Sequence, residues 1–165
     1  MHFHVDQPLR VPRAVAEQAL VDPDFYASMG AMAKIGTPEI LSRQERDGAV
    51  HIAVRYRFTG HLAPAARAVL DPAKMTWVIE STMHPAEHRA EFQMLPDHYA
   101  DRLECSGTYR FEERGPGAAV QVIEGDVIVH VPIVGRAVER AILLGLREHM
   151  AEEAELVARW GESRG

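Results

Sequence analysis

The sequence predicts an α+β fold: a curved antiparallel β-sheet of about seven strands, two short helices after strand 1, and a long C-terminal helix packed on the concave face. Three observations predict it. Between residues 40 and 131, apolar residues recur at every second position, and turn residues break the runs. From Arg136 to about Trp160 the period changes to 3.6. Ahead of both lie two proline-marked helix starts that follow a short alternating segment. The 165 residues are read as one domain, 1–165, because two independent cores would leave each half small.

His2 to Pro8 alternates, with Phe3 and Val5 against His2, His4 and Asp6, and reads as a strand. Pro12 stands where a helix accepts its first residue. Val15, Ala16, Ala19 and Leu20 then make one face of a short helix ending near Val21. Asp22-Pro23 is an N-cap followed by proline, opening a helix to about Gly30. Ile40 to Arg46 is a strand and Asp47-Gly48 a hairpin turn. Val50, Ile52, Val54, Tyr56 and Phe58 alternate with His51, Ala53, Arg55, Arg57 and Thr59, the clearest strand of the chain. Pro64 to Leu70 interrupts the pattern as a short helix or loop, and Gly60 to Lys74 as a whole reads as a lid. Met75, Trp77, Ile79, Ser81 and Met83 resume the alternation, and after Pro85-Ala86-Glu87 the chain returns through His88 to Leu95. Leu103, Cys105, Gly107, Tyr109 and Phe111 define the next strand, and Gly115-Pro116-Gly117 turns it. The last strand runs from Ala118 to Val131, with Gly125 as the natural place for a bulge.

Pro132 and Gly135 end that strand. In the helix that follows, Val138, Ile142, Gly145, Leu146, His149, Glu153, Leu156, Val157 and Trp160 share one broad stripe. Arg136, Arg140, Arg147, Ala151 and Glu155 lie on the other side. About 25 residues at 1.5 Å each reach roughly 37 Å, across a whole small domain. The sheet has one wet and one apolar face, and this helix is what can cover the apolar one.

A hydrophobic share of 47% with 25% charged residues excludes a disordered chain, a collagen-like chain and a bundle of membrane spans. Eighteen Lys+Arg against 24 Asp+Glu give a net charge of −6, which argues against a nucleic-acid partner. The densest apolar stretch, Ala141 to Leu146, is far short of the ~20 residues that span a bilayer, so no integral membrane association is expected. The start Met1-His2-Phe3-His4 has no basic segment leading into an apolar one, and a cytoplasmic location is the expectation. Cys105, alone and mid-strand, reads as a small buried hydrophobe. Nine histidines suggest metal, but Pro85 separates His84 from His88, His2 and His4 sit near the terminus, and neither pair brings a third ligand. No metal and no cofactor is expected. No serine has nucleophile-elbow context, and no glycine run forms a phosphate loop.

The opening strand, the Asp22-Pro23 segment, Leu62-Ala63-Pro64-Ala65-Ala66-Arg67, the Trp77 strand, Val131-Pro132-Ile133-Val134-Gly135-Arg136 and the closing Arg159-Trp160 are loose motifs. With the order of elements they resemble, over essentially the whole chain, the helix-grip fold of the START-like (SRPBCC) superfamily, the fold of the birch-pollen allergen. The resemblance is to an uncharacterised, mostly actinobacterial branch. It implies a cavity between sheet and long helix that takes a hydrophobic or amphipathic small molecule, such as a lipid or a polyketide-like aromatic. It supplies no reaction and no catalytic residue, so a binding or carrier role is read ahead of an enzyme. A cyclase- or aromatase-like enzyme with acid-base residues in the cavity is one alternative. A protein-interaction module with a protein partner is another.

An empty apolar hole is costly. Pockets run roughly 300–1,000 Å³, and at about 24 cal/mol per Å³ an unrelaxed 300 Å³ void would forfeit around 7 kcal/mol. That rivals a typical net stability of about 5–15 kcal/mol, so such a cavity is small, wet or filled. Its expected lining is Tyr56, Phe58, Trp77, Ile79, Phe92, Tyr109, Ile142 and Leu146, with Met75, Met83 and Met94 as adaptable neighbours. Periodicity does not separate such a lining from a packed core. His149 and Glu153, four apart, share the apolar helix face and are the expected polar contacts. They either pair with each other at the edge of the stripe or meet a ligand.

Overall fold

A computed structural model describes residues 1–165. The strands are β1 (His2–Leu9), β2 (Glu39–Arg46), β3 (Ala49–Arg57), β4 (Thr76–His84), β5 (Arg89–Pro96), β6 (Leu103–Glu113) and β7 (Ala119–Val129). The helices are α1 (Arg13–Ala19), α2 (Pro23–Ser28), α3 (Pro64–Arg67) and α4 (Gly135–Arg164). All seven strands form one antiparallel sheet in the order β1-β7-β6-β5-β4-β3-β2. The expected α+β architecture, with two early helices and a long C-terminal helix, is the observed one.

Local chemistry accounts for most boundaries. Asp22 Oδ1 accepts the backbone N–H of Asp24 at 2.8 Å, and Pro23 fills the first turn of α2. Asp47 and Gly48 both have positive φ, 53° and 76°, as a two-residue primed turn between β2 and β3 requires. Pro12 differs from expectation: it is the N-cap residue of α1, not its first helical residue. The second helix ends at Ser28, and Met29–Ala31 continue as a 3-10 turn.

Gly125 is not a bulge. It pairs directly with Gly107 on β6 and with Phe3 on β1. The irregularity lies instead between Ile40 and Ser42 in β2, where Leu41 is the extra residue. Its effect is to place Arg43 opposite Ile52, on the inward face. The Arg43 Nε–H donates to the Val21 carbonyl at 2.7 Å, tying the edge strand to the α1–α2 junction.

Phe25 and Met29 are fully buried, and the Phe25 and Trp160 rings meet edge-on at 6.2 Å near the end of α4. α4 runs close along β1 and β7 and touches α1, α2 and α3. Its backbone stands off from β3 to β6.

Candidate functional site

The inward face of β3 to β6 is set by register. Tyr56 lies opposite Trp77, Ile79 between Val54 and Met94, Phe92 between Ser81 and Gly107, and Tyr109 between Ala90 and Ile123. Tyr56, Trp77, Ile79, Phe92 and Tyr109 therefore share one face, as the alternation predicts. Tyr56 and Tyr109 are buried, whereas Trp77, Ile79 and Phe92 are only partly so. Opposite them, Ile142 and Leu146 of α4 are likewise partly buried. A side chain built on Gly145, half-buried in the middle of α4, would meet no atom within 4 Å beyond the helix's own backbone. Open space thus adjoins the helix where it stands off from the sheet.

The Tyr56 ring stacks on Trp77, with centroids 5.9 Å apart and planes 14° from parallel, and meets the His149 ring edge-on at 6.3 Å. Phe92 and Tyr109 lie 6.4 Å apart. Phe58 falls beyond the end of β3, in a single bridge to Ile35, with its ring against Gly60. It makes none of these ring contacts. The Gly60 to Lys74 segment carries α3, which packs on α4 through the buried Ala66.

His149 Nε2 is 3.4 Å from Glu153 Oε2, and Glu153 is only 9% exposed, which is rare for a carboxylate. Three buried phenols, Tyr26, Tyr56 and Tyr109, feel its charge. Tyr26 donates to the Leu20 carbonyl at 2.8 Å. Ser81 lies on the same inward face, opposite Phe92. Burial pushes the Tyr56 phenol well above its usual range, and the Glu153 charge pushes further. Burial likewise raises Tyr26 and Tyr109. The arrangement is an apolar wall of aromatic and aliphatic side chains with a polar end made of one carboxylate, one imidazole and neutral hydroxyls. Sequence reading did not find Tyr26 or Ser81. Ser81 carried a signal, as the one polar side chain in an inward-facing run of Trp77, Ile79 and Met83.

His84 and His88 are each taken up by a carboxylate, Glu91 and Glu17, at 2.8 Å. Cys105 is buried, and desolvation raises its thiol to about 11. Two recesses open elsewhere on the surface. One, of about 590 Å³, lies over the outer face of the sheet and is lined by polar residues such as Glu80, Thr82, Gln93 and Thr108. The other, of about 180 Å³, lies between Met32 and Leu156.

The raised thiol and phenols set the alkaline limit of the fold. Each is held neutral in the folded state, so an unfolded chain loses these protons first. Their stabilisation is complete below pH ~9 and falls as pH rises through the ordinary thiol and phenol values, ~9 and ~10. A melting temperature that drops from about pH 9 and more steeply past 10 is expected. A melting temperature that stays flat to pH 11 would contradict the burial of these groups.

Sheet order, early helices and the long C-terminal helix together define a fold of helix-grip architecture. The chain belongs to the DUF2505 family, described as proteins of unknown function, whose model matches residues 4–160. No curated protein matches it by sequence. Solved structures with the same fold include the Zhui aromatase/cyclase from a Streptomyces species, at 17% identity and a TM-score of 0.67, covering 99% of this chain and 94% of that one. A norcoclaurine synthase point mutant from Thalictrum flavum, solved with a transition-state analogue, is 16% identical with a TM-score of 0.66, covering 96% and 94%. A START superfamily protein from Mycobacterium smegmatis is 15% identical with a TM-score of 0.58, covering 99% of both chains. No helix is long and apolar enough to cross a membrane.

Proposed function

We propose that the protein binds and carries a small amphipathic molecule between α4 and strands β3 to β6. Its apolar body would rest on Trp77, Ile79, Phe92, Ile142 and Leu146, and its polar group would face His149 and Glu153. The carrying observation is the uneven closure of the sheet. α4 is packed tightly over β1 and β7 but stands off over β3 to β6, where apolar side chains stay partly exposed around open space at Gly145. A solid core would bury those side chains for about 25 cal/mol per Å². Leaving them uncovered makes sense if a ligand covers them. Protein purified from its own host should retain a small molecule in a native mass spectrum. A retained protein would favour an interaction module instead.

A second reading has its own observation. Glu153, His149 and the phenols of Tyr56 and Tyr109 could pass a proton to or from a bound substrate, as a cyclase or aromatase requires. The Zhui aromatase/cyclase and norcoclaurine synthase likenesses are compatible with it but share only the fold. Loss of product formation in Glu153→Gln with unchanged ligand affinity would favour the enzyme. Equal loss of affinity would favour the carrier.

Filling the space separates a cavity from a core. Ile142→Phe is expected to weaken binding of a cavity-filling dye about tenfold while leaving the melting temperature within a few degrees. Overpacking a solid core costs about 1–3 kcal/mol instead. A strongly destabilised variant of a parent that binds no dye would refute the cavity.

A further inference from the structure

Nine of the 16 arginines of this acidic chain are paired: Arg10, Arg13, Arg43, Arg55, Arg89, Arg102, Arg110, Arg114 and Arg164 each lie within 4.0 Å of a carboxylate. Of the other seven, three cluster on one side of α4. Arg136, Arg140 and Arg147 are exposed and make neither an ion pair nor a side-chain hydrogen bond to protein. At about 100° per residue they share an arc of roughly 80° with Leu144, which is 60% exposed. The nearby carboxylates are turned elsewhere. Glu139 is buried and accepts the Val129 N–H at 3.0 Å, and Glu148 is held by Lys34.

Three residues before Arg136, the chain presents an isoleucine in the least comfortable way open to it. Ile133 is wholly exposed and has φ of 70°, a left-handed conformation that a β-branched residue rarely adopts. The loop is pinned around it: the Val134 N–H donates to Pro132 and the Gly135 N–H to Val131, at 2.8 and 3.0 Å. Neither sterics nor hydration favours this placement, so a counterpart outside the free chain would account for it.

We propose that Ile133, Leu144, Arg136, Arg140 and Arg147 form a face that docks on an anionic lipid bilayer. The outer side of a helix and a projecting loop tip make a convex contact. A fluid interface accepts apolar tips anywhere along such a line, whereas a protein partner would need a notch carved for Ile133. Arginine stems lie along the apolar boundary while their guanidinium groups reach lipid phosphates. This is peripheral attachment, and it does not depend on what the interior site holds.

The test uses the full chain and sedimentation with vesicles of phosphatidylglycerol and phosphatidylcholine, against phosphatidylcholine alone. Binding is expected only to the anionic vesicles and should weaken with salt. Replacing Arg136, Arg140 and Arg147 by Gln should lower affinity about fivefold each, on the order of a hundredfold together. Ile133→Ser should lower it about tenfold. All four side chains are exposed, so melting temperatures should not fall. No binding to anionic vesicles, or equal binding by the triple Gln variant, would overturn the proposal. Capture of an acidic protein by a chain that ignores vesicles would also overturn it, assigning the face to a protein partner.

Discussion

A chain ending at Gly135 is expected to show no cooperative melting transition. α4 supplies Val138, Met150, Leu156, Val157 and Trp160 to the interior, each buried to 8% exposure or less. At about 1.5–3 kcal/mol for each large apolar side chain, their loss removes roughly 8–15 kcal/mol. That is the whole stability of a typical domain. The loss also uncovers the inner faces of β1 and β7 and the buried faces of α1 and α2. Circular dichroism and thermal melting of the fragment test this. A soluble fragment lacking residues 136–165 that melts cooperatively would show that the sheet and early helices hold without the clamp.

Gly107→Ala should be the most damaging single methyl group in the sheet. Gly107 and Gly125 face each other across β6 and β7. A Cβ on Gly107 would lie 2.1 Å from the Glu124 carbonyl oxygen and 2.8 Å from the Gly125 Cα. Both are backbone atoms that no rotamer change can move, so the strands would have to part. A loss at or beyond the upper end of the usual 1–3 kcal/mol for overpacking is expected, on the order of 6–12 °C in melting temperature. Gly145→Ala is the contrast. Its Cβ meets nothing within 4 Å, and it removes a glycine from a helix interior, so it should stabilise by up to about 1 kcal/mol. A Gly107→Ala protein as stable as its parent would show that this close approach is not real.

Period-two alternation and turn residues made the strands legible, because a half-buried antiparallel sheet writes its faces directly into the chain. Asp22-Pro23 and Asp47-Gly48 located a cap and a hairpin for the same local reasons. The Leu41 bulge was not legible: β2 is an almost wholly exposed edge strand, so no apolar pattern marks its register. Gly125 was misread because a glycine in a strand signals either a bulge or a close backbone approach, and only its partner Gly107 decides between them. At the site, Tyr56, Trp77, Ile79, Phe92 and Tyr109 were recognisable as one face, and His149 with Glu153 as one helical pair. Tyr26 was not, because its place beside Tyr56 depends on how α2 packs beneath the end of α4. Phe58 lies past the end of β3, because the alternation in the chain continues beyond the point where the strand pairing stops.

The claim that matters most is that a small molecule enters between α4 and β3 to β6. The direct measurement follows Trp77 emission in a Trp160→Phe background while an environment-sensitive apolar fluorophore is titrated in. Trp77 is partly exposed and stacked on Tyr56 at the wall of the proposed space. Saturable, one-to-one quenching of Trp77 with matching dye enhancement is expected, weakened by Ile142→Phe. A folded protein whose Trp77 emission is indifferent to the dye, and which enhances no dye emission, would contradict it.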